Sequence, residues 1–432
     1  MRIEEIYKIY RQYPSIQTDT RHLQKNDLFF SLKGLNFNGN LFAAQALEKG
    51  AAYVFADEKI SFADDRIIQT KNTLETLQQL AHFHRQQFNT LPGGTSRIPF
   101  IAITGSNGKT TTKELLHEVL SSTFKAYTTQ GNLNNHIGIP LTILKVELDA
   151  QMAVIEMGAN HLKEIAGYCE YAMPTHGLIT NCGKAHLEGF GSVENVKKGK
   201  GELFEYLQNH SGTVFVNADD AAVLELSSNL KNVIHYGSSG EDSTGNIFKN
   251  DPFIEVKITG AVPMNISTNL IGAYNLPNIL AAVCIGKYFK IDDEKIKIAI
   301  ENYSPSNSRS QLIKRNNNII ILDAYNANPG SMKAAIENFA AMKGDKKILL
   351  LGAMMELGAE SEKEHAALIS LIDTYNWEAV VLVGNSFREL KHKYIDYDTA
   401  LQVREWMQRQ HIENAQILIK GSRSMQMEKV LE

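Results

Sequence analysis

The sequence has no paired cysteine motif, no long apolar run and no excess of positive charge, and each absence excludes a class of protein. Cys169, Cys182 and Cys284 lie far apart without a C-x-x-C motif, which favours free thiols in a reducing cytosol over disulfides or a zinc site. No segment approaches the roughly 18 uninterrupted apolar residues of a membrane-spanning helix. The first residues, MRIEE, lack the apolar run of a signal peptide. A net charge of −4 gives no electrostatic case for binding nucleic acid or an acidic membrane surface. We therefore expect a cytoplasmic protein with no nucleic-acid partner and no membrane insertion.

The length and composition predict a globular protein of several domains. With 432 residues, 43% of them hydrophobic and 21% charged, the chain is long enough for about three domains of ordinary size. Two stretches rich in small and turn-forming residues, at 89–96 and 304–308, are typical of linkers. They divide the chain into predicted domains at 1–88, 97–303 and 307–432.

Apolar strand-like runs alternate with amphipathic helical segments along the chain, which predicts an α/β fold with largely parallel sheets. The first domain has a strand-like run at 27–32 and a helical segment at 73–88, and the central domain adds a surface loop at 238–243 within a strand-rich insertion. Central strands are predicted at 153–157, 177–181 and 213–217, with polar residues at their carboxyl ends, where ligands collect in open α/β sheets. A doubly wound C-terminal sheet is predicted from apolar runs at 319–323, 347–352, 379–384 and 416–421.

The segment 99–112, PFIAITGSNGKTTT, predicts a phosphate-binding turn, which we call the cradle (105–111). A buried strand leads into a turn of small residues, and a Lys-Thr pair then opens an amphipathic helix. Backbone N–H groups and the helix end would face the anion, Lys109 would reach the terminal phosphates, and Thr110 could ligate Mg²⁺. Ile103 stands where the usual P-loop has glycine, and a bare Gly-Lys-Thr can be an ordinary βα turn. The strand before it and the helix after it favour nucleotide binding.

Three further residues could converge on the cradle, each with a plainer alternative. Glu156, at the end of a strand, could hold Mg²⁺ opposite the phosphates, or could be a capping or surface glutamate. His186, in a loop with glycines, could be a metal ligand or proton carrier, or merely a polar loop residue. Lys200 lies in a basic stretch typical of a solvated helix face. The alternative is a neutral lysine that reacts with CO₂ to give a metal-binding carbamate.

Eight motifs, in this order and across nearly the whole chain, resemble those of the Mur ligase family. They lie at 105–114, 132–142, 156–158, 186–192, 200–202, 275–278, 323–329 and 420–423. The resemblance implies the three-domain Mur ligase architecture, with a central P-loop-type parallel sheet and a doubly wound C-terminal domain. It further implies that the first domain binds a UDP-muramoyl substrate, the second binds ATP and the third closes over both.

The resemblance also implies an activity and a set of site residues. The implied reaction is the ATP-dependent, ADP-forming ligation of D-Ala-D-Ala to UDP-N-acetylmuramoyl-tripeptide through an acyl phosphate, in peptidoglycan precursor synthesis. Two Mg²⁺ ions are implied, one held by Thr110 and Glu156, the other by His186 and a carboxylated Lys200, with Lys109 as the third catalytic residue. The implied ATP contacts are Gly105, Ser106, Asn107, Gly108, Lys109, Thr110, Thr111, Asn275, Asn278, Arg309 and Asp323. The implied substrate contacts are Thr20, Arg21, Asn132, Asn134, Asn135, Asn326 and Asn328.

Three residues depart from the family pattern, and two other functions stay open. Tyr274, Ala324 and Ala353 replace residues common in the family, which leaves detailed nucleotide contacts open. The run at 326–332, NANPGSM, is the form associated with addition of a dipeptide, whereas members that add a diamino acid typically carry Asp-Asn-Pro-Arg. A diamino-acid-adding Mur ligase remains one alternative. A nucleotide-binding switch that hydrolyses ATP without forming an amide is another. We expect a monomer.

Overall fold

The computed structural model describes residues 1–89, 98–239, 242–260, 263–306 and 308–432. Within these ranges the chain forms three successive α/β units, which confirms the predicted fold class. The predicted domain boundaries at 97 and 307, nearly all of the first linker (90–96) and residues 240–241 of the predicted loop lie outside the described residues. None of the described helices is long and apolar enough to cross a membrane.

The first unit is a small parallel sheet. Its strands pair, among the described residues, in the order Ile16–Gln17, Leu28–Phe30, Tyr53–Ala56 and Ile67–Gln69. All three residues of Leu28–Phe30 are buried, which explains the continuous apolar run seen in the sequence. The Asn72 side chain accepts a hydrogen bond from Glu75 N and so begins the long helix. The other elements are Ile3–Gln12, Ala43–Glu48 and Thr73–Gln87, the 3₁₀ turn Gly39–Phe42 and the hairpin Lys33–Gly34 with Phe37–Asn38.

The central unit is built on one large sheet, and the strand Phe100–Thr104 that leads into the cradle lies inside it. Its neighbours on either side are His176–Ile179 and Met152–Glu156, both parallel to it. Because parallel strands bring their carboxyl ends to one edge, the cradle, Glu156 and Thr180 meet there. In the described ranges nine strands pair in the order Met264–Ser267, Ile254–Thr259, Ser243–Asn250, Val233–Gly237, Thr213–Asn217, His176–Ile179, Phe100–Thr104, Met152–Glu156 and Ala126–Thr128.

Helices cover both faces of this sheet, and two antiparallel pairings at one edge form the strand-rich insertion. The helix Leu276–Tyr288 packs against Lys109–Ser121, which follows the cradle. Its buried face is almost entirely apolar, with Asn278 as the polar exception. The helices are Lys109–Ser121, Gly138–Leu144, Glu164–Ala172, Leu187–Phe190, Val193–Asn209, Ala221–Ser227, Leu276–Tyr288 and Asp293–Asn302, with the 3₁₀ turn Ala273–Asn275.

The third unit is a second doubly wound sheet. The four predicted apolar strands are adjacent and parallel, and two further strands, Gln311–Arg315 and Ile395–Tyr397, form the edges of the sheet. The sheet order among the described residues is Gln311–Arg315, Asn318–Asp323, Gln416–Lys420, Lys347–Gly352, Ala379–Val383 and Ile395–Tyr397. The helices are Pro329–Ala341, Ser361–Asp373, Asn385–Arg388 and Ala400–Gln410, with 3₁₀ turns at Gly358–Glu360, Arg423–Met425 and Met427–Leu431.

The first and central units are joined by buried polar side chains of the helix Thr73–Gln87. Arg85 donates to Ala172 O (3.0 Å) and Met173 O (2.9 Å), and its guanidinium lies 3.9 Å from the centre of the Phe100 ring. His84 is hydrogen-bonded to Val146 O at 2.7 Å, and burial lowers the pKa of His84 to about 4. Each of these buried side chains is hydrogen-bonded to a backbone carbonyl of the central unit, as buried polar groups generally are.

Candidate active site

The cradle depends on glycine at two positions. Gly105 (φ +139°) and Gly108 (φ +83°) have backbone angles in the left-handed range. A Cβ on Gly105 would lie 2.0 Å from Thr180 Oγ1, and one on Gly108 would lie 2.6 Å from Asn278 Oδ1. Only glycine lets the chain turn this tightly from the buried strand into the helix.

The neighbouring strand end fixes the cradle in place. Asn181 Oδ1 accepts from Asn107 N (3.0 Å), and Thr180 Oγ1 donates to Asn107 O (2.6 Å). Ser106 Oγ donates to Gly183 O at 2.8 Å. The predicted strand at 177–181 is two residues too long at this end, where the side chains of Thr180 and Asn181 bind the turn. A turn held this way is preorganised, so little entropy is lost when an anion binds.

Lys109 begins the helix and folds back over the cradle. Its Nζ donates to Gly105 O (2.6 Å) and Ser106 O (3.3 Å). Burial lowers the pKa of Lys109; Arg309 adds to this, whereas Glu156 and Glu356 oppose it. Arg309 and Glu356 belong to the third unit, so that unit lies within electrostatic reach of the cradle.

Glu156 and Thr110 form an oxygen-rich pair at the edge of the cradle. Glu156 is 1% exposed, and its Oε1 accepts from Thr110 Oγ1 (3.2 Å) and Asn134 Nδ2 (2.7 Å). Among the described residues no hydrogen bond reaches its Oε2. A buried carboxylate oxygen without a donor, next to a threonine hydroxyl, fits a hard cation such as Mg²⁺.

Lys113 is the buried cation nearest to this pair, and sequence reasoning missed it. Its Nζ lies 3.8 Å from Glu156 Oε2 and donates to Thr129 O at 2.8 Å. The residue lies one turn beyond Lys109 in the helix, which was the available signal. The positive charge of Lys113 balances the negative charge of Glu156 in the buried site.

Lys200 is fully buried. Its Nζ donates to Ala159 O (3.0 Å) and lies 5.3 Å from the centre of the Phe190 ring. Burial, together with the nearby charge of Lys109, lowers the pKa of Lys200 to about 7. The plainer interpretation, a solvated basic face, is therefore wrong for this lysine.

His186 meets the third unit rather than a metal cluster. Its Nδ1 lies 2.6 Å from Glu356 Oε2, and the hydrogen bond to His186 lowers the pKa of Glu356. Across the part of the chain that is described, no group of three or more His, Cys, Asp or Glu side chains is arranged to hold a metal ion. The predicted second metal site at His186 and Lys200 thus stays a prediction.

The loop between strand Asn318–Asp323 and helix Pro329–Ala341 faces the cradle directly. Asn328 Nδ2 donates to Asn107 Oδ1 at 2.7 Å, while Asn328 Oδ1 accepts from Ser331 N (2.9 Å) and caps the helix. One side chain therefore both starts a helix of the third unit and binds the cradle of the central unit.

Asp323 and Arg309 contact residues in and around this loop. Asp323 Oδ2 pairs with buried Lys420 (2.5 Å), and its Oδ1 accepts from Ser310 N (3.1 Å). The Arg309 guanidinium stacks 3.6 Å from the centre of the Tyr325 ring. Lys420 also donates to Asn326 O at 3.3 Å. The pairing of Asp323 with Lys420 is a contact that sequence reasoning did not foresee, although both residues lay in noted motifs.

Asn275 and Asn278 lie behind the cradle and are both buried. Asn278 Oδ1 accepts from Thr112 Oγ1 (3.0 Å), and its Nδ2 donates to Asn275 Oδ1 (2.9 Å). Asn275 Nδ2 donates to Ile271 O at 2.9 Å. These bonds support the helix that follows the cradle, and the expected contact with the adenine stays a prediction.

The remaining predicted residues lie in two places. Asn134 reaches Glu156, Asn135 Oδ1 accepts from Gly138 N (2.9 Å) where the helix Gly138–Leu144 begins, and Asn132 is exposed. In the first unit, Arg21 is exposed and pairs with Asp19, and Thr20 Oγ1 donates to Gln45 at 2.8 Å. Their contacts with substrate, like that of Thr111 on the first helical turn, stay predictions.

The three departures from the family pattern have defined positions. Tyr274 OH lies 3.0 Å from Ser310 Oγ and so links the central and third units. Ala324 and Ala353 are buried at strand ends of the third sheet, where each small side chain packs without exposed surface.

Comparisons with known proteins find three Mur ligase domains in order along the chain. The Mur ligase family (catalytic domain) matches residues 12–85, the Mur ligase middle domain matches 103–286, and the Mur ligase glutamate ligase domain matches 308–423. The UDP-N-acetylmuramoyl-tripeptide–D-alanyl-D-alanine ligase of Bacillus subtilis (strain 168) is 32% identical, over 96% of this chain and 92% of its own.

Two solved structures have the same fold along nearly the whole chain. MurF from Acinetobacter baumannii is 29% identical, with a TM-score of 0.86 over 96% of this chain and 92% of its own. The MurF ligase of Thermotoga maritima, solved in complex with ADP, is 25% identical, with a TM-score of 0.83 over 96% of each chain. With three domain matches in order and full-length relatives above 30% identity, this chain belongs to the Mur ligase family.

Proposed function

We propose that the protein joins D-Ala-D-Ala to UDP-N-acetylmuramoyl-tripeptide, with ATP cleaved to ADP and phosphate. Relatives that carry this activity in their names match it over 96% of its length. The observation that carries the proposal is the bond of 2.7 Å between Asn328 of the third unit and Asn107 of the cradle. It joins the loop associated with the dipeptide to the turn associated with the triphosphate. The reaction belongs to peptidoglycan precursor synthesis in the cytoplasm, and we propose that the protein acts as a monomer.

The first step is phosphorylation of the tripeptide's terminal carboxylate. A carboxylate oxygen attacks the γ-phosphorus of ATP, a P–O bond forms, and ADP leaves with the electrons of the broken bond. Because both reactants are anions, the step needs fixed positive charge. Lys109 and the backbone N–H groups of the cradle supply it, and Arg309 adds to it from the third unit.

Thr110 and Glu156 would hold a Mg²⁺ ion, which when bound neutralises the phosphate oxygens. The Oε2 of Glu156, which accepts no hydrogen bond from the described residues, supports this assignment. In the second step the amine of D-Ala-D-Ala attacks the acyl carbon, an amide bond forms, the amine loses a proton and phosphate leaves. The space between the central and third units, which we call the cleft, is crossed by contacts at Asn328, Tyr274 and His186. These contacts would keep water away from the acyl phosphate between the steps.

We further propose that Lys200 becomes a carbamate. A neutral amine attacks CO₂, a C–N bond forms and one proton leaves, which gives a carboxylate in place of the ammonium. A pKa near 7 keeps a large share of Lys200 in the reactive neutral form, in contrast to an ordinary lysine near 10.4. With His186, this carbamate would hold the second Mg²⁺ ion.

The remaining predicted residues divide by substrate. Thr20 and Arg21 are assigned to the UDP-muramoyl group, and Asn132, Asn134 and Asn135 to the peptide. Asn326 and Asn328 are assigned to the incoming dipeptide. The nucleotide would contact Thr111, Asn275, Asn278, Arg309 and Asp323.

Phosphate release tests the proposed function against a nucleotide switch. Release should require ATP, UDP-N-acetylmuramoyl-tripeptide and D-Ala-D-Ala together, and should match amide formation one to one. Equal release without either acceptor would contradict ligation and support the switch. A diamino-acid-adding ligase would instead release phosphate with a UDP-muramoyl-dipeptide and a free diamino acid. A panel of tripeptides that differ in the third residue would then define the natural substrate.

A further inference from the structure

We propose that Glu356 binds the α-ammonium group of the incoming dipeptide. The inference rests on the proposed function and assigns one more residue to the same site. Glu356 belongs to the third unit, in the loop that follows strand Lys347–Gly352, and reaches across the cleft to His186. Its side chain is 49% exposed, so a substrate can reach the carboxylate.

The backbone holds this carboxylate in a fixed position. Glu356 has a left-handed φ of 61°, unusual for a residue with a side chain, and its carbonyl accepts from Glu188 N at 3.1 Å. A Cβ on Gly358 would lie 3.3 Å from the Glu188 backbone, so the two loops are in close contact. Strained backbone that is held by neighbouring structure is typical of functional sites.

Two other carboxylates of the third unit already have lysine partners, one within that unit and one in the central unit. Asp323 pairs with Lys420, and Glu364 pairs with Lys184 at 2.5 Å. Glu156 accepts from two side chains of the central unit, Thr110 and Asn134. The carboxylate of Glu356, in contrast, has no lysine or arginine partner among the described residues and meets the imidazole of His186.

The charges around Glu356 indicate which substrate group its carboxylate would bind. Lys109 and Arg309 attract the phosphates of ATP. A negative side chain near these two cations weakens triphosphate binding unless that side chain binds a cation. Of the groups that react, the tripeptide's carboxylate and the phosphates of ATP are anions, whereas the amine of D-Ala-D-Ala arrives as a cation, its α-ammonium. That group must lie beside the acyl phosphate, which forms at the cradle, and Glu356 lies within electrostatic reach of Lys109. A charge-assisted hydrogen bond to an ammonium would lower its dissociation constant roughly 10- to 100-fold.

The substitution Glu356→Gln tests the assignment, with two nucleophiles compared. D-Ala-D-Ala carries a positive charge, whereas hydroxylamine is uncharged at neutral pH and captures the acyl phosphate as a hydroxamate. We expect the KM for D-Ala-D-Ala to rise roughly 10- to 100-fold, while hydroxamate formation stays within about twofold of the unmodified protein. Glu356→Asp should give an intermediate KM. Glu360→Gln is the matched control, since Glu360 lies in the same loop but pairs locally with Lys363.

Two results would overturn the inference alone: an unchanged KM for D-Ala-D-Ala in Glu356→Gln, or hydroxamate and amide formation that fall in parallel. The second result would mean that Glu356 serves the phosphorylation step, through a metal ion or through contact between the units. If the unmodified protein formed neither hydroxamate nor amide, the proposed function itself would fail, and this inference with it.

Discussion

Replacing Lys200 with methionine should stabilise the central domain while it abolishes ligation. Lys200 is fully buried, and burial with the nearby charge of Lys109 lowers its pKa from 10.5 to about 7. Because one pKa unit corresponds to about 1.4 kcal/mol, this shift costs the folded protein about 4 kcal/mol at pH 7. Methionine avoids that cost but forfeits the bond from Nζ to Ala159 O, worth roughly 1 kcal/mol. The expected net gain in the free energy of unfolding is about 3 kcal/mol.

The gain should depend on pH, with a sign that follows from the lowered pKa. Between about pH 7 and 10.5 the unfolded chain keeps a proton on Lys200 that the folded chain has lost. The stability of the unmodified protein therefore rises with pH in this window. Lys200→Met lacks that contribution, so its advantage should shrink as the pH rises and be gone by pH 10.5.

Hydrogen exchange followed by mass spectrometry measures this difference where it arises. Peptides from the helix Val193–Asn209 report the opening of the central unit, whereas Trp377 and Trp406 both lie in the third unit, so their fluorescence would report the wrong region. The buffer must be free of CO₂, so that Lys200 stays an amine. Lys198→Met, an exposed position on the same helix, is the control and should change stability by less than about 0.5 kcal/mol. A Lys200→Met protein that is less stable than the unmodified one at pH 7, or a difference that does not vary with pH, would refute the reasoning.

Substitutions at three positions separate the parts of the site. Asn328→Ser should keep the helix cap but lose the bond to Asn107, so we expect nearly unchanged stability and a roughly tenfold loss of kcat. Asn328→Ala should lose the cap as well, which should lower the free energy of unfolding, measured by thermal unfolding, by about 1 kcal/mol. Equal losses of stability in the two variants would contradict the double role of Asn328. Lys109→Ala should lower hydroxamate capture of the acyl phosphate by roughly 1,000-fold, and near-normal capture would count against the cradle. Lys200→Ala should lose ligation that acetate or another short carboxylate in the buffer partly restores, and an active Lys200→Ala protein would remove the carbamate from the mechanism.

Much of the fold could be predicted because its signals are local. The strand before the cradle, the glycine turn and the helix after it were each set by their own residues. The apolar run 101–103 predicted that strand, and the structure extends it by one residue at each end, to Phe100–Thr104. The four apolar strands of the third sheet were found for the same reason. The edge strands were missed because Gln311–Arg315 is largely polar and Ile395–Tyr397 is only three residues long. Family motifs, rather than periodicity, supplied most of the site residues.

What sequence could not predict is which side chains meet across the cleft. Glu356 and His186 are separated by 170 positions, and nothing local to either indicates the contact of 2.6 Å. The bond from Asn328 to Asn107 spans 221 positions in the same way. Lys113 is one polar residue on an amphipathic helix until the sheet places Glu156 beside it. Such pairings depend on how the units pack, which no single segment encodes.

The most direct test of the account follows an oxygen atom. If the tripeptide's terminal carboxylate is labelled with ¹⁸O and the reaction is run with ATP and D-Ala-D-Ala, the oxygen that attacks the γ-phosphorus must leave with the phosphate when the amide forms. The account predicts one ¹⁸O atom in each phosphate released, measured by mass spectrometry or ³¹P NMR. Phosphate that carries no ¹⁸O would show that water, and not the carboxylate, attacks ATP, and would contradict activation at the cradle.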